Sequence, residues 1–134
     1  MQILEETMRA VAAVAALALA VIVPTFAIGA ASMPTEVKET SGVLTDSKGM
    51  TLYTFDNDKN AEKSACNGNC ANNWPALKAS ATDRDMGDWK IITRDDGSKQ
   101  WTYKGKPLYT YSKDMKAGDK TGDNVGNVWH VAKG

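Results

Sequence analysis

The chain has 134 residues, and its 16 basic and 16 acidic side chains give a formal net charge of zero. Without residues 1–31, which hold one Arg and two Glu, 15 basic and 14 acidic residues remain, so the net charge is +1. Such a balance argues against nucleic acid or an anionic membrane as the main partner, because both attract proteins through clustered positive charge.

An apolar run near the N-terminus predicts export. Residues 10–23 (AVAAVAALALAVIV) form an uncharged stretch of 14 residues that ends at Pro24. A membrane-spanning helix takes about 20 residues, whereas the apolar centre of a signal peptide is shorter. We therefore predict a helical signal peptide over 1–31, with cleavage after Ala31. The protein is then periplasmic or secreted and has no stable membrane anchor; an uncleaved N-terminal anchor is the alternative.

One small domain is predicted to follow the signal peptide. Residues 32–41 (SMPTEVKETS) are polar without a clear period, which is typical of a flexible linker. The remaining chain is long enough for one domain with a modest core. We divide this single β domain, 42–134, into repeat one (42–77), a connection (78–88) and repeat two (89–134).

Repeat one begins with a predicted β-hairpin. Val43–Thr45 and Met50–Phe55 flank DSKG, which supplies turn residues between β-branched and aromatic flanks. Alternation in the second strand puts Tyr53 and Phe55 on the face opposite Leu52.

A long polar loop is predicted next. Residues 56–73 (DNDKNAEKSACNGNCANN) cannot bury a face, and at most one helical turn around Ala61–Ala65 is expected. The loop ends at Trp74, which is expected to return to the core.

Repeat two is predicted to consist of short strands. Trp89–Thr93 and Gln100–Tyr103 flank the turn RDDGSK, and Lys106–Tyr111 and Val128–Val131 follow. Pro107 has no N–H to donate, so it favours the edge of a sheet. Because no segment after the signal peptide has helical apolar periodicity, the sequence predicts an all-β domain of short antiparallel hairpins.

The chain contains one ten-residue pattern twice. Gly49–Asp58 (GMTLYTFDND) and Gly105–Asp114 (GKPLYTYSKD) both fit G-x-x-L-Y-T-(F/Y)-x-x-D. A polar loop follows each copy and ends at a tryptophan, Trp74 or Trp129. The sequence therefore predicts two equivalent units, in which the pattern lies at the corner between a strand and its loop.

These residues resemble the signature of a known family. Both copies match Y-x-(F/W/Y)-x-x-D, the motif of bacterial exported proteins called the secreted repeat of unknown function, through Tyr53, Phe55, Asp58, Tyr109, Tyr111 and Asp114. The segment 66–75 (CNGNCANNWP) is similar to the family's C-x-G-x-C…W-P element, and 128–131 (VWHV) is similar to its C-terminal ending. The resemblance implies an exported, lipoprotein-like protein with two repeats and no settled biochemical role. Many relatives carry a lipid-anchor cysteine, but the first cysteine here is Cys66.

Cys66 and Cys70 are predicted to form a structural disulfide, since two cysteines in an exported chain most simply pair. Closing a loop of five residues stabilises the fold by about 2 kcal/mol on the loop-entropy model. A redox pair and half of a metal site are the alternatives. The spacing C-x-x-x-C differs from the C-x-x-C of thioredoxin-type motifs, and two cysteines cannot supply a four-sulfur zinc site.

The sequence offers few metal ligands. His130 is the only histidine, so a copper centre with two His and one Cys cannot form in a monomer. Asp56 and Asp58 begin like an EF-hand loop, but Ala61 and Asn67 occupy the positions where that loop needs Gly and Glu. We predict no metal and no other cofactor, with His130, Asp56 and Asp58 as the candidates should a metal bind.

The aromatic residues are predicted to form the core, led by Trp74, Trp101 and Trp129, because each such side chain buries about 150–250 Å². Lining a ligand groove is the alternative role for these aromatic residues.

With one His and no matched base and nucleophile, the sequence predicts no enzyme. We predict an exported, non-catalytic binding or cell-envelope-associated module of unknown ligand, with envelope proteins and a small ligand as the candidate partners. The alternative is a periplasmic metal- or haem-binding protein linked to electron transfer or stress.

Overall fold

Short antiparallel strands build the part of the chain that this computed structural model describes, residues 32–134. Seven strands occur there: β1 (Val37–Thr40), β2 (Val43–Asp46), β3 (Tyr53–Phe55), β4 (Trp89–Thr93), β5 (Lys99–Tyr103), β6 (Lys106–Pro107) and β7 (Trp129–Val131). The helical segments are α1 (Asn69–Asn73) and a 3-10 helix (Val125–Asn127). The prediction of an all-β domain is confirmed, whereas the predicted signal peptide, 1–31, lies outside the described residues. Within 32–134, no helix has the length and apolar character needed to cross a membrane.

The strands form three small sheets. β1 pairs with β2, β3 pairs with β7, and the third sheet has the order β4-β5-β6; every pair is antiparallel. β4 and β5 form the hairpin that the sequence predicts. β6 is short and lies at the edge of its sheet, as expected for a strand that contains Pro107.

Residues 32–41 are not the flexible linker that their composition predicts. Val37–Thr40 form β1, which pairs with β2 from Val37↔Asp46 to Thr40↔Val43. Val37 is buried, but the other three residues of β1 are exposed. The strand lacks apolar alternation because only one of its side chains faces the core, and for this reason its sequence resembles a linker.

Two further local predictions differ from the structure. The helical turn of the loop lies at Asn69–Asn73 and not around 61–65, and it buries none of its side chains. The first hairpin is reduced to one bridge, Thr45↔Thr51. Its turn forms as predicted, since Asp46 Oδ1 accepts the N–H of Met50 at 2.9 Å. β3 then leaves this hairpin and pairs with β7.

The buried side chains form two clusters. The first contains Leu44, Leu52, Leu77, Trp89, Trp101 and Leu108, and the second contains Tyr53, Cys66, Trp74, Tyr109 and Trp129. The alternation predicted around β3 separates them, because Leu52 enters the first cluster while Tyr53 and Phe55 pack in the second.

The two repeats exchange their last segments. Two rings of three backbone hydrogen bonds join Leu44, Leu52 and Ala132 in one case, and Trp101, Leu108 and Leu77 in the other. In each ring, two residues come from one repeat and the third comes from the segment that follows the tryptophan of the other repeat. Neither repeat therefore completes its own backbone pairing.

Candidate functional site

The tyrosines of the repeated motif meet between the two repeats. The N–H of Tyr53 donates to the carbonyl of Tyr109 at 2.7 Å, and the N–H of Tyr109 donates back to Tyr53 at 3.0 Å. Both tyrosines are fully buried. This reciprocal pair relates the repeats by an approximate two-fold axis, so that each copy of the motif faces the other.

Each motif tyrosine donates its phenolic hydrogen to the motif aspartate of the other repeat. Tyr53 Oη lies 2.6 Å from Asp114 Oδ2, and Tyr109 Oη lies 2.6 Å from Asp58 Oδ2. Hydrogen bonds to a carboxylate are stronger than those between neutral groups. The motif therefore links the repeats, a role that its sequence did not reveal.

The same aspartates also order the loops that follow them. Asp58 Oδ1 accepts the N–H of Ala65 at 2.6 Å, and Asp114 Oδ1 accepts the N–H of Thr121 at 2.9 Å. Each accepted N–H lies seven residues beyond its aspartate. Both side chains thus accept backbone hydrogens at the corner between strand and loop, where the sequence predicts that the motif lies.

The environment of these pairs changes their proton affinity. Burial, followed by the hydrogen bond to Asp114, raises the pKa of Tyr53 far above its ordinary value of 10.0. Burial and Asp58 raise the pKa of Tyr109 in the same way. Burial also raises the pKa of Asp58, although Tyr109, Ala65 and Arg94 oppose that shift. The tyrosines therefore retain their protons far into the alkaline range.

Four aromatic rings form one continuous stack in the second cluster, in the order Tyr111, Trp74, Trp129 and Phe55. Their successive ring centroids are 4.0, 3.7 and 4.1 Å apart. Each tryptophan therefore stacks on the motif aromatic of the other repeat. Trp101, the third tryptophan predicted for the core, is buried in the first cluster.

The loop after each motif is packed in a different way. Cys66 and Cys70 form the predicted disulfide, and Cys66 is fully buried. Gly122 stands at the matching place in repeat two, eight residues after the motif aspartate. A Cβ at Gly122 would lie 2.8 Å from the Trp74 ring and 2.9 Å from the Tyr111 ring. One position thus holds a cross-link in repeat one and a close aromatic contact in repeat two.

Arg94 and Gln100 form a buried polar link that sequence reasoning missed. Arg94 donates to Gln100 Oε1 at 2.7 Å, to Ser64 Oγ at 3.0 Å and to the carbonyl of Cys66. Gln100 donates in turn to the carbonyl of Leu108 at 2.8 Å. These bonds tie the disulfide loop of repeat one to the β4–β5 hairpin. Arg94 opens a polar turn sequence, so no local signal marks it as buried.

The approximate symmetry is broken at His130. His130 Nε2 lies 2.8 Å from Asp56 Oδ2, and the two side chains are 39% and 50% exposed. The matching positions in the other half carry Pro75 and Ser112. This partly exposed ionisable pair therefore has no counterpart across the two-fold axis.

The His130–Asp56 pair opens onto a groove of about 360 Å³, here called the lysine groove. The polar and aromatic residues that define it are Asp56, Tyr103, Lys104, Lys106, His130 and Lys133. Its three lysines are exposed and make no ion pair within residues 32–134. Because Asp56 is the one carboxylate in its lining, the groove carries net positive charge.

A second open groove of about 770 Å³ adjoins the first, since Lys104 lines both. We call it the acidic groove and define it by Glu62, Asp85, Asp88, Lys90, Ile91 and Lys104. Its lining has three carboxylates and two lysines, so its net charge is opposite to that of the lysine groove.

The candidate metal ligands are only partly brought together. His130 contacts Asp56, but the carboxylate of Asp58 is bonded to Tyr109 and Ala65. Within 32–134, no group of three or more His, Cys, Asp or Glu could hold a metal ion. Of the three candidates, the structure therefore brings His130 and Asp56 together and leaves Asp58 bonded within the domain.

Fold and site together define a class of protein, a small all-β domain made of two interlocked repeats that exchange tyrosine–aspartate bonds. A family model described as "secreted repeat of unknown function" matches this chain twice, at residues 35–78 and 90–133. The chain belongs to that family, which confirms the resemblance found in its motifs and supports export. No curated protein and no solved structure matches it.

Proposed function

We propose that this chain is an exported, non-catalytic binding module, and that it holds an anionic ligand in the lysine groove. The observation that carries the proposal is the set of exposed lysines without ion pairs, Lys104, Lys106 and Lys133, beside the His130–Asp56 pair. The groove measures about 360 Å³. Small-molecule sites typically enclose roughly 300–1,000 Å³.

The pattern of the two repeats supports a ligand role for this groove. The repeated tyrosines, aspartates and tryptophans are occupied by contacts inside the domain. Lys106 and His130, in contrast, match Met50 and Pro75 of the other half. Because the other half buries the same motif with other residue types at these two places, the motif does not require Lys106 and His130. Exposed charges that the fold does not need are available to a ligand.

The surroundings of His130 support binding without catalysis. Its imidazole is hydrogen-bonded to Asp56, and no Ser or Thr hydroxyl of residues 32–134 is hydrogen-bonded to the ring. Nucleophilic catalysis by a histidine base needs such a hydroxyl or thiol within reach. Lysines favour an anionic group through charge alone, since an ammonium lacks the planar fork of a guanidinium.

The proposal is tested with the exported protein, labelled with ¹⁵N, and a short acidic peptide as the probe. We expect saturable chemical-shift changes at His130 and Lys133, and a weaker affinity at high salt. The variant Lys133→Ala should bind several-fold more weakly. Lys78→Ala is the matched control, because Lys78 is exposed and occupies the corresponding place in the other half.

Five outcomes would contradict the proposal. A neutral peptide that shifts the same resonances equally would show that charge is not recognised. If Lys78→Ala and Lys133→Ala lose equal affinity for the acidic peptide, the peptide is attracted to basic surface in general and not to the lysine groove. A cleaved or altered probe, a stoichiometric metal, or a Soret band in the purified protein would contradict a cofactor-free, non-catalytic role.

A further inference from the structure

We infer that the ligand is an extended peptide segment with an acidic group at one end and a basic group at the other, lying across Lys104. This inference rests on the proposed function and names the ligand of the same groove. The acidic end would occupy the lysine groove, and the basic end would occupy the adjoining acidic groove.

The opposite charge of the two grooves is the first support. The lysine groove is lined by three lysines, one histidine and one carboxylate. The acidic groove is lined by Glu62, Asp85 and Asp88 against two lysines. A uniformly anionic chain long enough to fill both grooves would be repelled by these carboxylates. A bipolar chain is attracted along its whole length, because complementary potentials select the partner and its direction.

The size and openness of the grooves favour a chain over a compact ligand. The two grooves measure about 360 and 770 Å³ and share Lys104 in their linings. The acidic groove runs along β4, whose residues Lys90–Thr93 line it. A peptide bearing an ammonium or guanidinium group supplies the donors that exposed carboxylates accept.

Lys104 stands at the junction in a backbone conformation that does not suit it. It has φ of 52° and is followed by Gly105 with φ of 82°. A two-residue hairpin turn with both φ values positive strongly prefers Asn or Asp before the glycine. A lysine in this conformation costs stability. Its ammonium nitrogen lies 5.1 Å from the centroid of the Tyr103 ring, which also lines the lysine groove. The turn itself therefore does not account for a lysine at this position.

The ligand class is tested with four probes of equal length in the exported protein. These are a blocked peptide with two Asp at one end and two Lys at the other, its purely acidic and purely basic counterparts, and an anionic oligosaccharide without amino groups. We expect the bipolar peptide to bind roughly tenfold more tightly than the acidic one. Its resonances should show the acidic end near His130 and the basic end near Asp88.

The role of Lys104 in binding is tested with the variant Lys104→Asn, which places a favoured residue in the turn and removes the positive charge. We expect this variant to unfold a few degrees higher while it binds the bipolar peptide roughly tenfold more weakly. Ser41→Asn is the matched control, since Ser41 and Gly42 have φ values of 52° and 82° in another two-residue turn. It should gain stability in the same way and leave binding unchanged.

The outcomes separate this inference from the proposed function. If the acidic peptide binds at His130 but the bipolar peptide binds no more tightly, the bipolar inference is wrong and the proposed function stands. If the oligosaccharide binds most tightly, the bipolar inference is also wrong and the proposed function also stands. If Lys104→Asn binds the bipolar peptide normally, the role of Lys104 is wrong. If no anionic probe binds at His130, the proposed function itself fails.

Discussion

Repeat one and repeat two bury the same motif in the same way, but they secure the following loop by different means. In repeat one, a disulfide and the buried Arg94 hold the loop. In repeat two, Gly122 allows the loop to lie against the Trp74 and Tyr111 rings. The shared contacts join the two copies of the motif, and the differences lie in the loops that follow. The motif therefore specifies the interlocked frame, whereas the loops and grooves are free to diverge.

The largest expected effect concerns the pair of stacked tryptophans. Trp74→Ala and Trp129→Ala should each lower the free energy of unfolding by about 3–5 kcal/mol, because each leaves a large cavity in the same stack. Either change should also remove the part of the near-ultraviolet circular dichroism that comes from the contact between the two indoles, whose centroids are 3.7 Å apart. Denaturant titration and circular dichroism measure both quantities.

Trp101→Phe is the control for this experiment, because Trp101 lies in the other cluster. It should lower stability and leave the circular dichroism of the Trp74–Trp129 contact in place. A stability loss that is large in only one of the two alanine variants would break the equivalence of the repeats.

The disulfide is expected to have an intermediate effect, confined to repeat one. The double variant Cys66→Ala/Cys70→Ala should lose about 2 kcal/mol of stability, since it removes a five-residue closed loop. Reduction of the unaltered protein provides an independent measure of the same loss. Hydrogen exchange should quicken in the loop of repeat one and stay unchanged at Thr121 and Gly122. Equal changes in both loops would show that the cross-link serves the whole domain.

The last expected effect is an alkaline loss of stability shared by both repeats, which is absent at neutral pH and therefore ranks below the other two there. Below pH 10.0 the motif tyrosines are protonated in both the folded and the unfolded chain, so their contribution is fully present. Above that pH the unfolded chain releases these protons first, because burial raises the folded pKa. The free energy of unfolding should then fall by up to about 1.4 kcal/mol per pH unit for each tyrosine.

Urea unfolding between neutral and alkaline pH, followed with tyrosinate absorbance, measures this slope. Tyr53→Phe and Tyr109→Phe should each lower by about one the number of protons that unfolding releases at alkaline pH. A slope that is unchanged in both variants would show that other groups cause the alkaline loss.

Local patterns in the sequence predict much of this fold. The β4–β5 hairpin follows from two β-rich runs around RDDGSK, and the edge position of β6 follows from Pro107. The repeat and the disulfide follow from the duplicated motif and from the cysteine count. Each of these features depends on residues that are close in sequence, or on the number of motif copies and cysteines in the chain.

The remaining features depend on partners far apart in the chain. Tyr53 and Asp114 are 61 positions apart, and Tyr109 and Asp58 are 51 positions apart. Nothing near either tyrosine indicates that its acceptor lies in the other repeat. β1 was missed for a related reason, since it is held by pairing with β2 and not by its own apolar pattern. The grooves likewise collect residues from β3, β5, β6 and β7 that share no local motif.

The exchange of segments has a consequence for the order in which the exported chain matures. Ala132 completes the backbone ring that begins at Leu44 and Leu52, about eighty residues earlier. A polypeptide made from its N-terminus onward contains Leu52 long before Ala132. Repeat one therefore has no complete pairing until the last residues of the domain are present. Long-range pairing of this kind also slows folding. The interlock thus makes the compact state depend on the end of the chain.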